Sequence, residues 1–113
     1  MHELAITESI LRIALSAAEE HQAQRVLEIR IKIGAYSGVV PQYIQEYFDI
    51  VSRGTIAEAA RLDIQTVPAK VQCSACGQVT QVERFRIKCG ACGSTEVKLI
   101  TGREYYVDSL EVE

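Results

Sequence analysis

The four cysteines of this chain fall in two C-x-x-C pairs, Cys73 with Cys76 and Cys89 with Cys92, 12 residues apart in "CSACGQVTQVERFRIKCGACG". No other feature narrows the fold so far. A C-x-x-C turn brings two thiolates to one point, and four such sulfurs at about 2.3 Å satisfy a tetrahedral metal. Gly77 and Gly93 each follow a pair, where a residue free to take positive φ lets the backbone curl round the sulfurs. Val79, Val82, Phe85 and Ile87 are expected to supply a hairpin between the pairs. A module this short buries too little apolar surface to fold alone, so the metal contributes folding free energy. Four thiolates favour zinc in a closed, structural site; iron and a redox dithiol are the competing readings. A redox pair needs one exposed thiol of low pKa, and two matching knuckles do not look like that.

A nucleic-acid-binding zinc ribbon, or a zinc-ribbon protein-interaction module, is the alternative function class. From Lys70 to Lys98 five basic residues stand against two acidic ones, and four thiolates with one Zn²⁺ reduce the balance to +1. That is weak for a phosphate footprint, and the whole chain of 113 residues carries −3. No nucleic-acid partner is expected. No membrane partner is expected either, since no apolar run approaches the roughly 20 residues that span a bilayer. The opening residues lack a basic segment followed by an apolar one, which predicts no signal peptide and a cytoplasmic, reducing compartment.

Outside the cysteine segment, the apolar pattern changes period. Leu4, Ile6, Ile10, Leu11, Ile13, Ala14, Leu15, Ala17 and Ala18 fill a broad helical arc, wide enough to meet a second helix as well as a sheet. In "RVLEIRIKIG" Leu27, Ile29, Ile31 and Ile33 alternate with Glu28, Arg30 and Lys32, a strand with one wet face. A second helix is predicted from Pro41 to just before Gly54, with Tyr43, Ile44, Tyr47, Phe48, Ile50 and Val51 as its apolar stripe. Strands follow around Leu62–Val67, ended by Pro68, and in "GREYYVDSLEVE". The prediction is an α+β fold: two helices packed on a small mixed or antiparallel three-stranded sheet, with an inserted Cys₄ zinc ribbon. The expected domains are 1–69 with 101–113, and 70–100.

The chain begins "MHELAIT", so His2, one of only two histidines, sits beside the α-amine just ahead of the first helix. A lone terminal histidine is usually a bland surface residue, and Glu3 could simply complement the helix N-terminus. The donor set is nevertheless particular. The Met1 α-amine, the backbone amides of His2 and Glu3 and the imidazole lie within a few bonds of one another. Nitrogen donors able to approach a square plane suit Ni²⁺ or Cu²⁺, and amides ionise only when such a metal replaces the proton. Histidine is too large a second residue to favour removal of Met1, so the spacing should persist. His21, near the end of the first helix, reads as structural. No nucleophile–base pair, phosphate loop or carboxylate pair suggests an enzyme.

"MHEL", "RVLEIRIKIGAYSGVVP", "GTIAEAARLDI", the paired C-x-x-C and "SLEVE" together resemble the HypA/HybF family of hydrogenase maturation factors, in order and over essentially the whole chain. The resemblance implies a nickel metallochaperone acting before nickel insertion into the [NiFe]-hydrogenase large subunit, with a partner GTPase of the HypB type. In some bacteria the same family serves urease and its maturation proteins. It implies His2 as the essential nickel ligand, helped by neighbouring backbone nitrogens and supported by Glu3. It also matches Cys73, Cys76, Cys89 and Cys92 to the zinc ligands. Unlike some members, this chain has no histidine beside the knuckles, so no histidine from the zinc module can reach the nickel.

Overall fold

The computed structural model describes residues 2–83 and 86–113. In chain order the elements are α1 (Glu3–Glu20), β1 (Val26–Gly34), α2 (Pro41–Val51), β2 (Arg61–Val67), β3 (Lys70–Cys73), β4 (Val79–Gln81), β5 (Val97–Thr101) and β6 (Tyr105–Val112). Two three-stranded sheets form, ordered β2-β1-β6 and β4-β3-β5. The chain divides into two compact units. One comprises Met1–Lys32, Val39–Gln65 and Tyr106–Glu113; the other comprises Ile33–Gly38 and Thr66–Tyr105.

In the first sheet, direction follows from which residues meet. Lys32 Nζ donates to Gln65 Oε1 at 2.6 Å, Arg61 pairs with Glu28, and the Ala35 N–H donates to Val67 O. The offset is nearly constant, so β2 runs parallel to β1, with α2 as the crossover. Glu113 instead exchanges hydrogen bonds with Gln24 and Arg25, while the Gly34 N–H donates to Glu104 O, so β6 is antiparallel to β1. The sheet is mixed, one of the two arrangements the sequence predicts.

The alternation of β1 appears in its burial: Ile29, Ile31 and Ile33 are buried, whereas Arg30 on the other face reaches Glu28 at 2.9 Å and Glu111 at 3.4 Å. Leu27 is only half-buried, and Val26 before it is buried instead. Helix α1 buries Ile6, Ile10, Ala14 and Ala18, and it packs against α2, as its wide arc requires. The α2 stripe is narrower than its sequence suggests. Only Ile44 and Phe48 are buried, while Tyr43, Tyr47 and Ile50 remain exposed.

The second sheet differs from the sequence expectation. The strand following the first knuckle, β4, folds back antiparallel on β3, and β5, which the sequence did not reveal, pairs with the other edge of β3. Among the described residues between the knuckles, a bridge from Glu83 to Arg86 stands where the hairpin is expected; Phe85 lies outside the described residues, and Ile87 is exposed. A small core of Ala69, Val71 and Val82 fills this unit, with Tyr36, Val97 and Leu99 packed against it. Gly34 lies so close to Gly102 that a Cβ there would stand 2.2 Å from the Gly102 carbonyl oxygen. Only glycine allows that approach.

Candidate metal centres

The two knuckles have one geometry repeated. At the first, the Cys73 N–H donates to Gln78 O and the Gly77 N–H to Cys73 O; at the second, Cys89 donates to Ser94 O and Gly93 to Cys89 O, all at 2.8–2.9 Å. Gly77 and Gly93 take φ of 76° and 78°, the left-handed conformation their spacing predicts. The Cys76 and Cys92 N–H groups point back at the Sγ atoms of Cys73 and Cys89, at 3.4 Å in each case, and the Ala91 N–H adds a second donor to Cys89. Cys73 and Cys89 are buried, Cys76 and Cys92 exposed, and no disulfide joins any of them.

All four sulfurs lie within 4.8 Å of one another. The Cys73–Cys92 and Cys76–Cys89 pairs stand at 3.6 Å. A tetrahedron with metal–sulfur bonds of about 2.3 Å has edges of about 3.8 Å, close to those two separations, so the quartet is consistent with a zinc site. The four sulfurs do not shift alike. Amide donation from Cys92 and Ala91 brings the Cys89 thiol down to about 6 despite burial. Cys73 is lowered likewise, first by the Cys76 N–H. Cys76 receives the Gln78 N–H, yet the Cys89 sulfur and burial together push it up to about 12. Cys92 is raised in the same way, the Cys73 sulfur and burial outweighing the Ser94 N–H. Within each knuckle the buried sulfur is thus favoured as thiolate and its exposed partner disfavoured. Four thiolates together require a metal.

The amino terminus is built differently. His2 is the exposed N-cap of α1, and its side chain makes no capping hydrogen bond. The helical ladder begins where the Ile6 N–H donates to His2 O at 2.9 Å. The amides of His2 and Glu3 precede that bond and lie outside the ladder, the Glu3 N–H turning to its own carboxylate instead. Glu3 is a buried carboxylate, 5% exposed, whose Oε2 accepts the Val40 N–H at 3.2 Å. The fully buried Thr7 hydroxyl donates to Glu3 O at 2.5 Å. Sequence reasoning overlooked both contacts. Thr7, a polar residue inside an apolar arc one turn after Glu3, was the available signal. Met1, whose α-amine completes the expected donor set, lies outside the described residues. His21 caps the far end of α1, its Nδ1–H reaching Ala17 O at 3.0 Å. Among the described residues no second cluster of three or more His, Cys, Asp or Glu side chains gathers.

These features define a small α+β protein with a four-thiolate metal-binding module and a histidine-bearing terminus. The chain belongs to the HypA family, whose model, described as hydrogenase/urease nickel incorporation, metallochaperone, matches residues 1–112. It is 39% identical over 113 residues to a hydrogenase maturation factor HypA of Geobacter sulfurreducens, with both chains covered completely. A hydrogenase maturation factor HypA of Dehalococcoides mccartyi is 35% identical, with 100% of this chain and 95% of that one covered. The solution structure of the Ni metallochaperone HypA from Helicobacter pylori shares the fold at a TM-score of 0.69 and 23% identity, covering 99% of this chain and 97% of that chain. A second HypA solution structure gives 0.76 at the same identity, covering 100% and 97%.

Proposed function

We propose that this chain carries Ni(II) on its amino terminus and delivers it for maturation of a [NiFe]-hydrogenase large subunit, in the cytoplasm and with a GTPase of the HypB type. Urease maturation is the second destination in cells that make urease. The observation that carries this reading is the full-length family match together with His2 at the N-cap of α1. Nickel is cargo. Its donors are the His2 imidazole, the amides of His2 and Glu3, and the Met1 α-amine. Deprotonating those two amides breaks no bond of the helical ladder. With no side-chain cluster at this end among the described residues, backbone nitrogens are the natural co-ligands.

Cys73, Cys76, Cys89 and Cys92 hold zinc, which supplies folding free energy to the segment 70–100 and leaves no open coordination position. The segments 1–69 and 101–113 form the nickel-binding domain. The chain is a carrier and not an enzyme, since cargo transfer is ligand exchange. The test is complementation. Cells deprived of their own maturation factor should regain hydrogenase activity with this chain and fail to regain it with His2→Ala at equal protein level. Full restoration by His2→Ala would reject the terminus as the cargo site.

A further inference from the structure

The two-helix layer carries charge out of proportion to its size. Helices α1 and α2 hold six carboxylates (Glu3, Glu8, Glu19, Glu20, Glu46, Asp49) and one guanidinium (Arg12), a net −5. The whole chain carries −3, so everything outside the helices balances to +2. Glu19 and Glu20 occupy the last turn of α1, where the helix dipole disfavours negative charge, and neither helix has a basic residue in its last turn. Glu8, Glu19 and Glu46 are exposed and form no ion pair with any described residue. Arg12 donates to the Ser9 hydroxyl at 3.3 Å and keeps its charge, which the carboxylates of the layer outnumber. This placement does not serve the stability of the layer.

The same layer exposes an apolar strip. The two helices start together, since Glu3 holds the Val40 N–H, and they run the same way, since Val51 shares a groove with Leu11 and Leu15. That groove, of about 390 Å³, is flanked by Glu8, Arg12 and Glu19. Along α2, Tyr43 and Tyr47 precede Val51 at i+4 spacing, 48% and 38% exposed, and Leu4 continues the α1 side at 45%. Two parallel ridges of apolar side chains with acid along their borders make a seat for a helix.

We infer that the outer groove between α1 and α2 is a docking site for a partner protein's amphipathic helix, with a stripe of large aliphatic residues and lysine or arginine along both flanks. The acidic border selects the charge of the occupant and steers its approach. An anionic lipid surface is disfavoured by the same charge, and a second copy of this chain would bring like charges together. The site ends at Leu4, two residues from His2, so the partner helix lies next to the terminus. The inference goes beyond the nickel reading and does not depend on it.

The test uses the full, zinc-loaded chain and synthetic 18-residue helical peptides, matched to the 18 residues of α1. One has a leucine stripe with lysine flanks, one the same leucines with glutamate flanks, and one the lysines with serine in place of leucine. Only the first should shift the Leu11, Leu15, Tyr47 and Val51 amide resonances saturably. Its affinity should fall about tenfold on adding salt or in Glu19→Lys/Glu46→Lys, as a charge-steered interface requires. Tyr47→Ser, at an exposed position, should weaken it with no change in thermal midpoint. Equal binding of the glutamate-flanked or the serine peptide, or shifts confined to other surfaces, would overturn the inference. So would a concentration-dependent dimer that Tyr47→Ser dissociates, which would make the occupant a second copy.

Discussion

His2 and Glu3 are adjacent in sequence and opposite in environment. His2 is exposed and uncommitted at its side chain, whereas the Glu3 carboxylate is buried against the Val40 N–H. Glu3 thus ties the first turn of α1 to the residue ahead of α2, and His2 stands exposed beside it. A donor set drawn from the backbone depends on covalent context as much as on side chains. Placing one glycine before Met1 leaves every side chain in place but moves the α-amine one residue further from the imidazole. Such a protein should fold and keep its zinc, yet bind nickel more weakly and with a changed d–d absorption spectrum. A native spectrum would remove the amine from the ligand set. Elsewhere, Glu104 shows how a single carboxylate can be read by pH. Its own N–H and that of Gly102 (2.6 Å to Oε1) hold its pKa below the ordinary 4.5, against partial burial. A lowered folded pKa means that its stabilisation is present above 4.5 and is lost as pH falls through the lower value. Titrating the Gly102 amide shift should therefore give a midpoint below 4.5; a midpoint at or above it would show that the contact does not favour the charged form.

Among the elements, α1 ends in a Schellman motif, with the Ala23 N–H on Ala18 O and the Gln22 N–H on Glu19 O. The residue at the left-handed position is Gln22, with φ of 54°, where glycine is the ordinary occupant. Gln22→Gly should raise stability by roughly 0.5–1 kcal/mol, measured as the shift of the denaturant midpoint at unchanged slope. A loss of stability would mean that Gln22 makes compensating contacts. Strict alternation marked β1, and proline and glycine bracketed α2, because local rules govern both. Strand β5, "VKLIT", was not legible: its residues show only weak alternation, and its partner β3 lies more than twenty residues earlier. How much of the α2 stripe would be covered was not legible for a related reason. Periodicity reports which side is apolar but not how much of that side the fold covers.

At the scale of the molecule, the cysteine spacing carried most of the information. Four sulfurs in two short turns are local geometry, and the structure gathers them as the spacing requires. The support around His2 was less visible, because Glu3 meets Val40 only after the chain has run through β1 and returned. Among the described residues the second unit has a core of only a few apolar side chains, so its fold should lean on the metal. Cys73→Ala is expected to release zinc and abolish slow amide exchange at Val71 and Val82, while the amides of α1 and α2 keep their protection. Loss of protection throughout would mean that the two units fold as one cooperative block.

On the function proposed above, cargo nickel and structural zinc occupy separate places, with His2 indispensable only to the first. Calorimetric titration of the zinc-loaded chain with Ni²⁺, beside His2→Ala and with zinc counted before and after, tests this directly. The expected result is one nickel per chain for the unmodified protein, none bound tightly by His2→Ala, and one zinc throughout with the thermal midpoint nearly unchanged. Tight nickel binding that survives His2→Ala, or that displaces zinc as it proceeds, would contradict the account.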